Sequence, residues 1–154
     1  MRFILIYNLN RSVEFDKYAR ELANRTGLKL VRFCTRYDQF YRCGKSMFVP
    51  QVFDFISLID NAKYVLTDSF HATAFALNLQ TEPICIYPKE FGGRLESILQ
   101  QTNTTQRHIK NYQDFEVVNR PVNFQEVNSI LEKERQKARD FIELVIRDVE
   151  RGNS

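Results

Sequence analysis

Tryptophan is absent from this 154-residue chain, and glycine, proline, cysteine and methionine are scarce, at 5, 4, 3 and 2 residues. So few glycines and prolines exclude long disordered linkers and point to order over most of the length. The cysteines, Cys34, Cys43 and Cys85, are odd in number and lack metal-ligand spacing. They read as reduced, partly buried thiols of a cytosolic protein, and neither a disulfide framework nor a metal site is expected. No charge of one sign dominates. The formal charge is +3, with Lys and Arg interleaved among Asp and Glu. That pattern argues against nucleic acid as a partner, which calls for a concentrated basic stripe. A small anionic ligand needs only two or three placed cations and stays compatible. Long apolar runs are missing too: none approaches the roughly 20 residues of a membrane span. The opening Met1–Asn10 is too short, and polar too soon, for a secretory signal. A soluble, cytoplasmic chain without membrane insertion is the expectation.

What is present is an aromatic-rich core composition, with 13 phenylalanines and 7 tyrosines, in a chain of ordinary length for one domain. Strand-like and helix-like segments alternate. Arg2–Tyr7 is a continuous apolar run, as expected of a central parallel strand. Ser12 then caps a helix over Val13–Arg25, with Phe15, Tyr18, Ala19 and Leu22 on one face and Gly27 closing it. Leu28–Phe33 reads as a second strand and Cys34–Phe48 as an irregular loop. Pro50 suits the first turn of a helix reaching Asn61, with Phe53, Phe55, Ile56 and Ile59 inward.

Lys63–Thr67 is a short strand built on Tyr64-Val65-Leu66, and it stops at Asp68. Ser69 caps a helix over Phe70–Leu79. Pro83–Tyr87 is a strand, Phe91-Gly92-Gly93 a turn, and Arg94–Gln101 a short helix. Phe115–Val118 reads as an edge strand. From Phe124 to Glu150 the spacing predicts one amphipathic helix, its apolar face running through Val127, Ile130, Leu131, Ala138, Phe141, Ile142, Val145 and Ile146. The fold class that follows is α/β: a three-layer, doubly wound, Rossmann-like parallel sheet with helices on both faces. No internal repeat or domain boundary interrupts it. Ligands of such sheets sit beyond the carboxyl ends of the strands, where strand order reverses.

The chemistry-bearing segment is Thr67-Asp68-Ser69-Phe70-His71. A buried strand ends there and a helix begins within three residues. That junction aims the unpaired N–H groups of the first helical turn, and the positive end of the macrodipole, at the ligand crevice. His71 can add a proton or a positive charge. Two readings stay open on physical grounds alone: a junction that only closes its own hydrogen bonds, or one that also meets an anion. Arg94 follows Gly92 and Gly93 after the next strand, at the same edge of the sheet. A guanidinium at a helix start suits carboxylate or phosphate, and the glycines let backbone approach a ligand. Pairing of Arg94 with Glu90 or Glu96 is the alternative.

The run from Phe55 to His71, Phe-Ile-Ser-Leu-Ile-Asp-Asn-Ala-Lys-Tyr-Val-Leu-Thr-Asp-Ser-Phe-His, resembles the signature of polysaccharide pyruvyl transferases. The likeness continues through Ala74-Phe75, the segment Pro83–Tyr87, and Arg94-Leu95-Glu96-Ser97-Ile98-Leu99. Ala72 stands where the family usually carries glycine, and Asn103–Arg107 replaces a leucine-bearing turn, so Arg107 corresponds only loosely.

The resemblance implies the C-terminal, glycosyltransferase-B-like half of a two-domain transferase, occupying residues 1–154. Its activity would move a pyruvyl group from phosphoenolpyruvate to a sugar hydroxyl pair during cell-envelope exopolysaccharide biosynthesis. The implied partners are phosphoenolpyruvate and a lipid-linked or polysaccharide sugar acceptor, with no cofactor. The implied roles are His71 as catalytic acid and donor contact, Arg94 as clamp, and Ser69, Phe70 and His71 as an anion-binding turn. Asp68, Gly92 and Gly93 support them, Asp68 by ordering the turn. A half lacking its companion is expected to be inactive or nearly so, and to pair with a missing N-terminal domain or a second copy. A nucleotide-sugar glycosyltransferase half and a non-catalytic binding module are the rival readings.

Overall fold

The computed structural model describes residues 2–10, 12–48, 51–88 and 92–152. Five parallel strands form its sheet: β1 (Phe3–Tyr7), β2 (Lys29–Cys34), β3 (Lys45–Phe48), β4 (Tyr64–Thr67) and β5 (Glu82–Cys85), in the order β3-β2-β1-β4-β5. This is the order in which dinucleotide-binding Rossmann sheets reverse direction, and the reversal lies between β1 and β4.

Strand periodicity divides the core. Ile4 and Ile6 of β1 lie in register with Tyr64 and Leu66 of β4 and bury, with Ile84, beneath Phe15, Tyr18, Ala19 and Leu22 of helix α1 (Val13–Thr26). Leu5 and Val65, paired between them, face the other way. They pack on Ile59 of α2 (Val52–Asn61) and on Ala72 and Ala76 of α3 (Phe70–Asn78). Helices thus cover both faces of a Rossmann-like sheet. Helix α4 (Gly93–Gln101) buries Leu95 and Leu99 against Cys85, and α5 (Phe124–Gly152) packs Val127 against Leu77.

Local rules set the helix ends. The Ser12 hydroxyl accepts from the Phe15 N–H at 3.2 Å, and Gly27 leaves α1 at φ 67°, a left-handed conformation that suits glycine.

Several expectations are corrected. The segment Cys34–Phe48 is not all loop: Cys34 ends β2, and Lys45–Phe48 pairs in parallel with Val31–Cys34 as a four-residue edge strand. Its short length and lysine are ordinary for an edge and leave no periodic signal. Phe53 is 80% exposed and not inward, because it lies about 200° around α2 from Phe55, which does pack. Phe115–Val118 is not a strand: a 3₁₀ turn covers Glu116–Asn119 and sinks Val117 into the α1-side core.

The far half of α5 departs most. Phe141, Ile142, Val145 and Ile146 are all solvent-exposed, since the packed apolar residues of α5 end at Leu131. β5 stops at Cys85, although the Ile86 N–H still donates to the Thr67 carbonyl at 3.0 Å. The expectations for Pro50, Glu90 and Phe91 lie outside the described residues. Among the described residues, no helix is long and apolar enough to cross a membrane.

Candidate functional site

The carboxyl end of β4 meets that of β1 at the point where strand order reverses, and Asp68 holds them together. Its carboxylate is 6% exposed and accepts four hydrogen bonds. Oδ1 takes the Leu9 N–H at 2.7 Å. Oδ2 takes the Asn8 side-chain amide at 2.9 Å, the Asn10 N–H at 3.0 Å and the Asn10 side-chain amide at 2.8 Å. All four partners donate. The four bonds tie Asn8, Leu9 and Asn10 to the end of β4, so Asp68 orders the turn. Asn8 and Asn10, to which the sequence gives no functional signal, are the positioning residues of this junction.

Asp68 sits directly before the start of α3. There the Ser69 N–H donates to Thr67 Oγ1 at 2.9 Å, and Ser69 Oγ accepts from the Ala72 N–H at 3.4 Å. The Thr73 N–H and hydroxyl both donate to the Ser69 carbonyl. These bonds engage Ser69 at both ends. The N–H groups of Phe70 and His71 are left without a hydrogen-bond partner among the described residues. Of the three residues expected in the anion turn, Phe70 and His71 thus keep free N–H groups among the described residues and Ser69 does not. Ser69 itself is buried, and it builds the turn from beneath. His71 is exposed, its ring set edge-on to Phe70 with centroids 5.5 Å apart.

Arg94 lies in the first turn of α4, after the neighbouring strand β5, so its helix begins at the same edge as α3. It is exposed and pairs with no carboxylate among the described residues; Glu96, one of the partners considered, does not engage it. The two glycines before it differ. A Cβ on Gly92 would come within 2.9 Å of the Pro88 carbonyl oxygen, so a side chain there forces backbone to shift. A Cβ on Gly93 would meet nothing within 4 Å.

A second aromatic pair borders this loop. Tyr87, just past β5, stacks on His108 with ring centroids 3.5 Å apart and planes 6° from parallel. His108 is brought there by the bridge from Cys85 to His108, with the Ile109 N–H donating to the Cys85 carbonyl at 3.0 Å. Burial, and then the charge of Lys110, lower the His108 pKa below the usual histidine value. Sequence reading missed this histidine because its partner lies 21 positions away (87 to 108) on a strand end. Arg107, beside it, is a structural residue: fully buried, it donates to the carbonyls of Pro83, Val117 and Arg120 at 2.7, 2.7 and 2.8 Å. Among the described residues, no group of three or more His, Cys, Asp or Glu side chains is gathered to hold a metal ion.

The family model described as "Polysaccharide pyruvyl transferase" matches residues 1–90, which is 90 of the 154 residues and includes the whole junction just described. The chain belongs to the polysaccharide pyruvyl transferase family. The match takes in β1 through β5, with Asn8, Asn10, Asp68, Ser69, Phe70 and His71. Gly92, Gly93 and Arg94 lie beyond it, so their membership of the site rests on their position at the same sheet edge. Comparison with curated proteins gave no match. Among solved structures, the chain is similar to a crystal structure described as a UDP-N-acetylglucosamine 2-epimerase from Listeria monocytogenes, at a TM-score of 0.54 and 14% identity. The likeness covers 84% of this chain and 38% of that one, and at this identity it speaks for the fold alone.

Proposed function

We propose that this pyruvyl transferase family chain holds the anionic donor phosphoenolpyruvate at the start of α3 and contributes that half of a site which transfers pyruvyl to a sugar. The observation that carries the reading is the pair of N–H groups, of Phe70 and His71, that find no partner among the described residues and are held from below by the Asp68 clamp. Two amides at a helix start, an exposed imidazole and a guanidinium that meets no carboxylate among the described residues form an anion-binding set of the kind a phosphate and a carboxylate require.

In the reaction, C3 of phosphoenolpyruvate takes a proton and positive charge develops at C2. One sugar hydroxyl adds to C2, the C2–O bond to phosphate breaks, and the second hydroxyl closes the ketal. Of the two hydroxyl protons released, one balances the proton placed on C3 and the other leaves with phosphate. His71 is assigned the proton to C3, and Arg94 with the two amides the charge on the departing phosphate. No cofactor is needed for this balance.

The chain is proposed to be the C-terminal half of a two-domain protein, with the acceptor entering between the halves. The apolar stripe of α5, which is solvent-exposed and available to a companion half or a second copy, supports this. A cytoplasmic location and a role in cell-envelope exopolysaccharide synthesis belong to the same proposal.

Calorimetric titration with phosphoenolpyruvate tests it. Saturable binding by the wild-type chain that is lost in both His71→Ala and Arg94→Ala supports the reading. Binding unchanged by both substitutions rejects it.

A further inference from the structure

At the opposite end of the same carboxyl edge, four aromatic rings line a shallow groove of about 290 Å³: Tyr37, Phe40, Tyr41 and Phe48. Phe48 ends β3, and the other three belong to the connection between β2 and β3. Tyr37 and Phe48 lie 5.6 Å apart between centroids, and Phe40 meets Tyr41 edge-on at 5.5 Å. Tyr37 is 85% and Tyr41 90% exposed. Large rings are ordinarily buried, so four gathered in solvent call for a ligand.

The groove is tied to the junction at β1. Gln39, 1% exposed, donates to the Asn8 carbonyl at 2.8 Å, and its own carbonyl accepts the Thr35 and Arg36 N–H groups at 2.8 and 3.2 Å. Arg42 reaches the Asn8 side-chain oxygen at 3.2 Å and binds Asp16 through two further hydrogen bonds. Asn8 is also the residue that donates to Asp68. The aromatic connection and the start of α3 are therefore anchored on one buried asparagine.

From this we infer that the groove is a distal acceptor subsite, a platform on which a neutral pyranose of the sugar chain stacks. The inference rests on the reading of the chain as a sugar-modifying transferase. A pyranose has an apolar C–H face, which suits an aromatic ring, and a rim of hydroxyls, which suits the tyrosine hydroxyls. Size agrees, because the groove is at the lower end for small-molecule sites. A nucleotide is disfavoured because Arg36 is already paired with Asp38 at 3.2 Å. Three strand spacings separate β3 from β4, roughly 14 Å. The stacked sugar is thus not the one modified but a neighbour along the same chain, and the platform selects acceptors by length.

The test is an NMR titration of the 154-residue chain with neutral gluco-, galacto- and manno-oligosaccharides of one to six residues, following the tyrosine ring signals. The inference expects saturable shifts at Tyr37 and Tyr41 for at least one series, tighter for longer chains, and roughly tenfold weaker binding for Tyr37→Ala/Tyr41→Ala. Both side chains are exposed, so an unchanged denaturation midpoint shows that this variant folds. Phosphoenolpyruvate binding should be the same in the variant and the wild type, which separates the two sites. Sugar binding without phosphoenolpyruvate binding supports the platform while the donor assignment fails. Oligosaccharide binding that ignores the substitutions overturns the platform, as does phosphoenolpyruvate binding without any sugar binding. UDP shifting the tyrosines where sugars do not, or self-association abolished by the double substitution, also overturns it.

Discussion

Asn8 and Asp68, 60 positions apart in the chain, are joined by a 2.9 Å hydrogen bond across the carboxyl ends of β1 and β4. The bond spans the place where the sheet reverses its order, so the loop after β1 and the turn before α3 act as one rigid piece. The bonds of Asp68 thereby hold the backbone from which the Phe70 and His71 amides project.

The clamp predicts an unusual mutational pattern. Since every partner of the Asp68 carboxylate is a donor, Asp68→Asn would set an NH₂ against N–H groups and lose more than a charge. Both Asp68→Asn and Asp68→Ala are expected to destabilise the chain by about 3 kcal/mol, as buried charge-assisted bonds are lost and their donors orphaned. Urea denaturation checks this; a loss under 1 kcal/mol for the asparagine variant would contradict it.

The adjacent glycines should respond in opposite ways. Gly92→Ala forces a Cβ toward the Pro88 carbonyl and should cost about 1–3 kcal/mol while weakening phosphoenolpyruvate binding. Gly93→Ala, in open space at the start of α4, should be neutral or stabilising by up to about 1 kcal/mol. Thermal melts of the pair decide the point.

Stability should fall on mild acidification. The folded-state pKa of His108 is lowered by burial and by Lys110, so between its folded and unfolded values the unfolded chain binds the extra proton. The contribution is full above about pH 6.5, the unfolded value, and is lost as pH drops toward the folded value. Urea midpoints at pH 7.5 and 5.5 should differ by less in His108→Gln than in wild type. An equal difference in both would count against the stacked, part-buried histidine.

The thiols should be inert in the folded chain. Cys34, Cys43 and Cys85 are buried and unpaired, and burial pushes Cys85 up to about 12 and raises Cys43 as well. Labelling with an aromatic disulfide reagent at pH 8 should be slow before denaturation and reach three thiols per chain after it.

What could be read in the sequence was whatever is written locally. Tyr64 to Asn78 carries its own instructions, a β-rich apolar triplet, a capping Ser69 and an alanine-rich helix, and the structure places them as expected. Asn8, Asn10 and His108 were illegible as site residues because each acts through a partner 21 to 60 positions away. The aromatic groove escaped notice because the β2–β3 connection has neither strand nor helix period. In α5 the period did show an apolar stripe. A period names a face and not what covers it, and beyond Leu131 nothing in the described chain does.

The most direct test of the central claim is an amide NMR titration of the chain with phosphoenolpyruvate. The account predicts that the largest saturable shifts fall on the Phe70 and His71 N–H groups, with the Arg94 guanidinium responding and the Ser69 amide, already bonded to Thr67, moving little. Shifts confined to other parts of the molecule, or none at millimolar ligand, would contradict it.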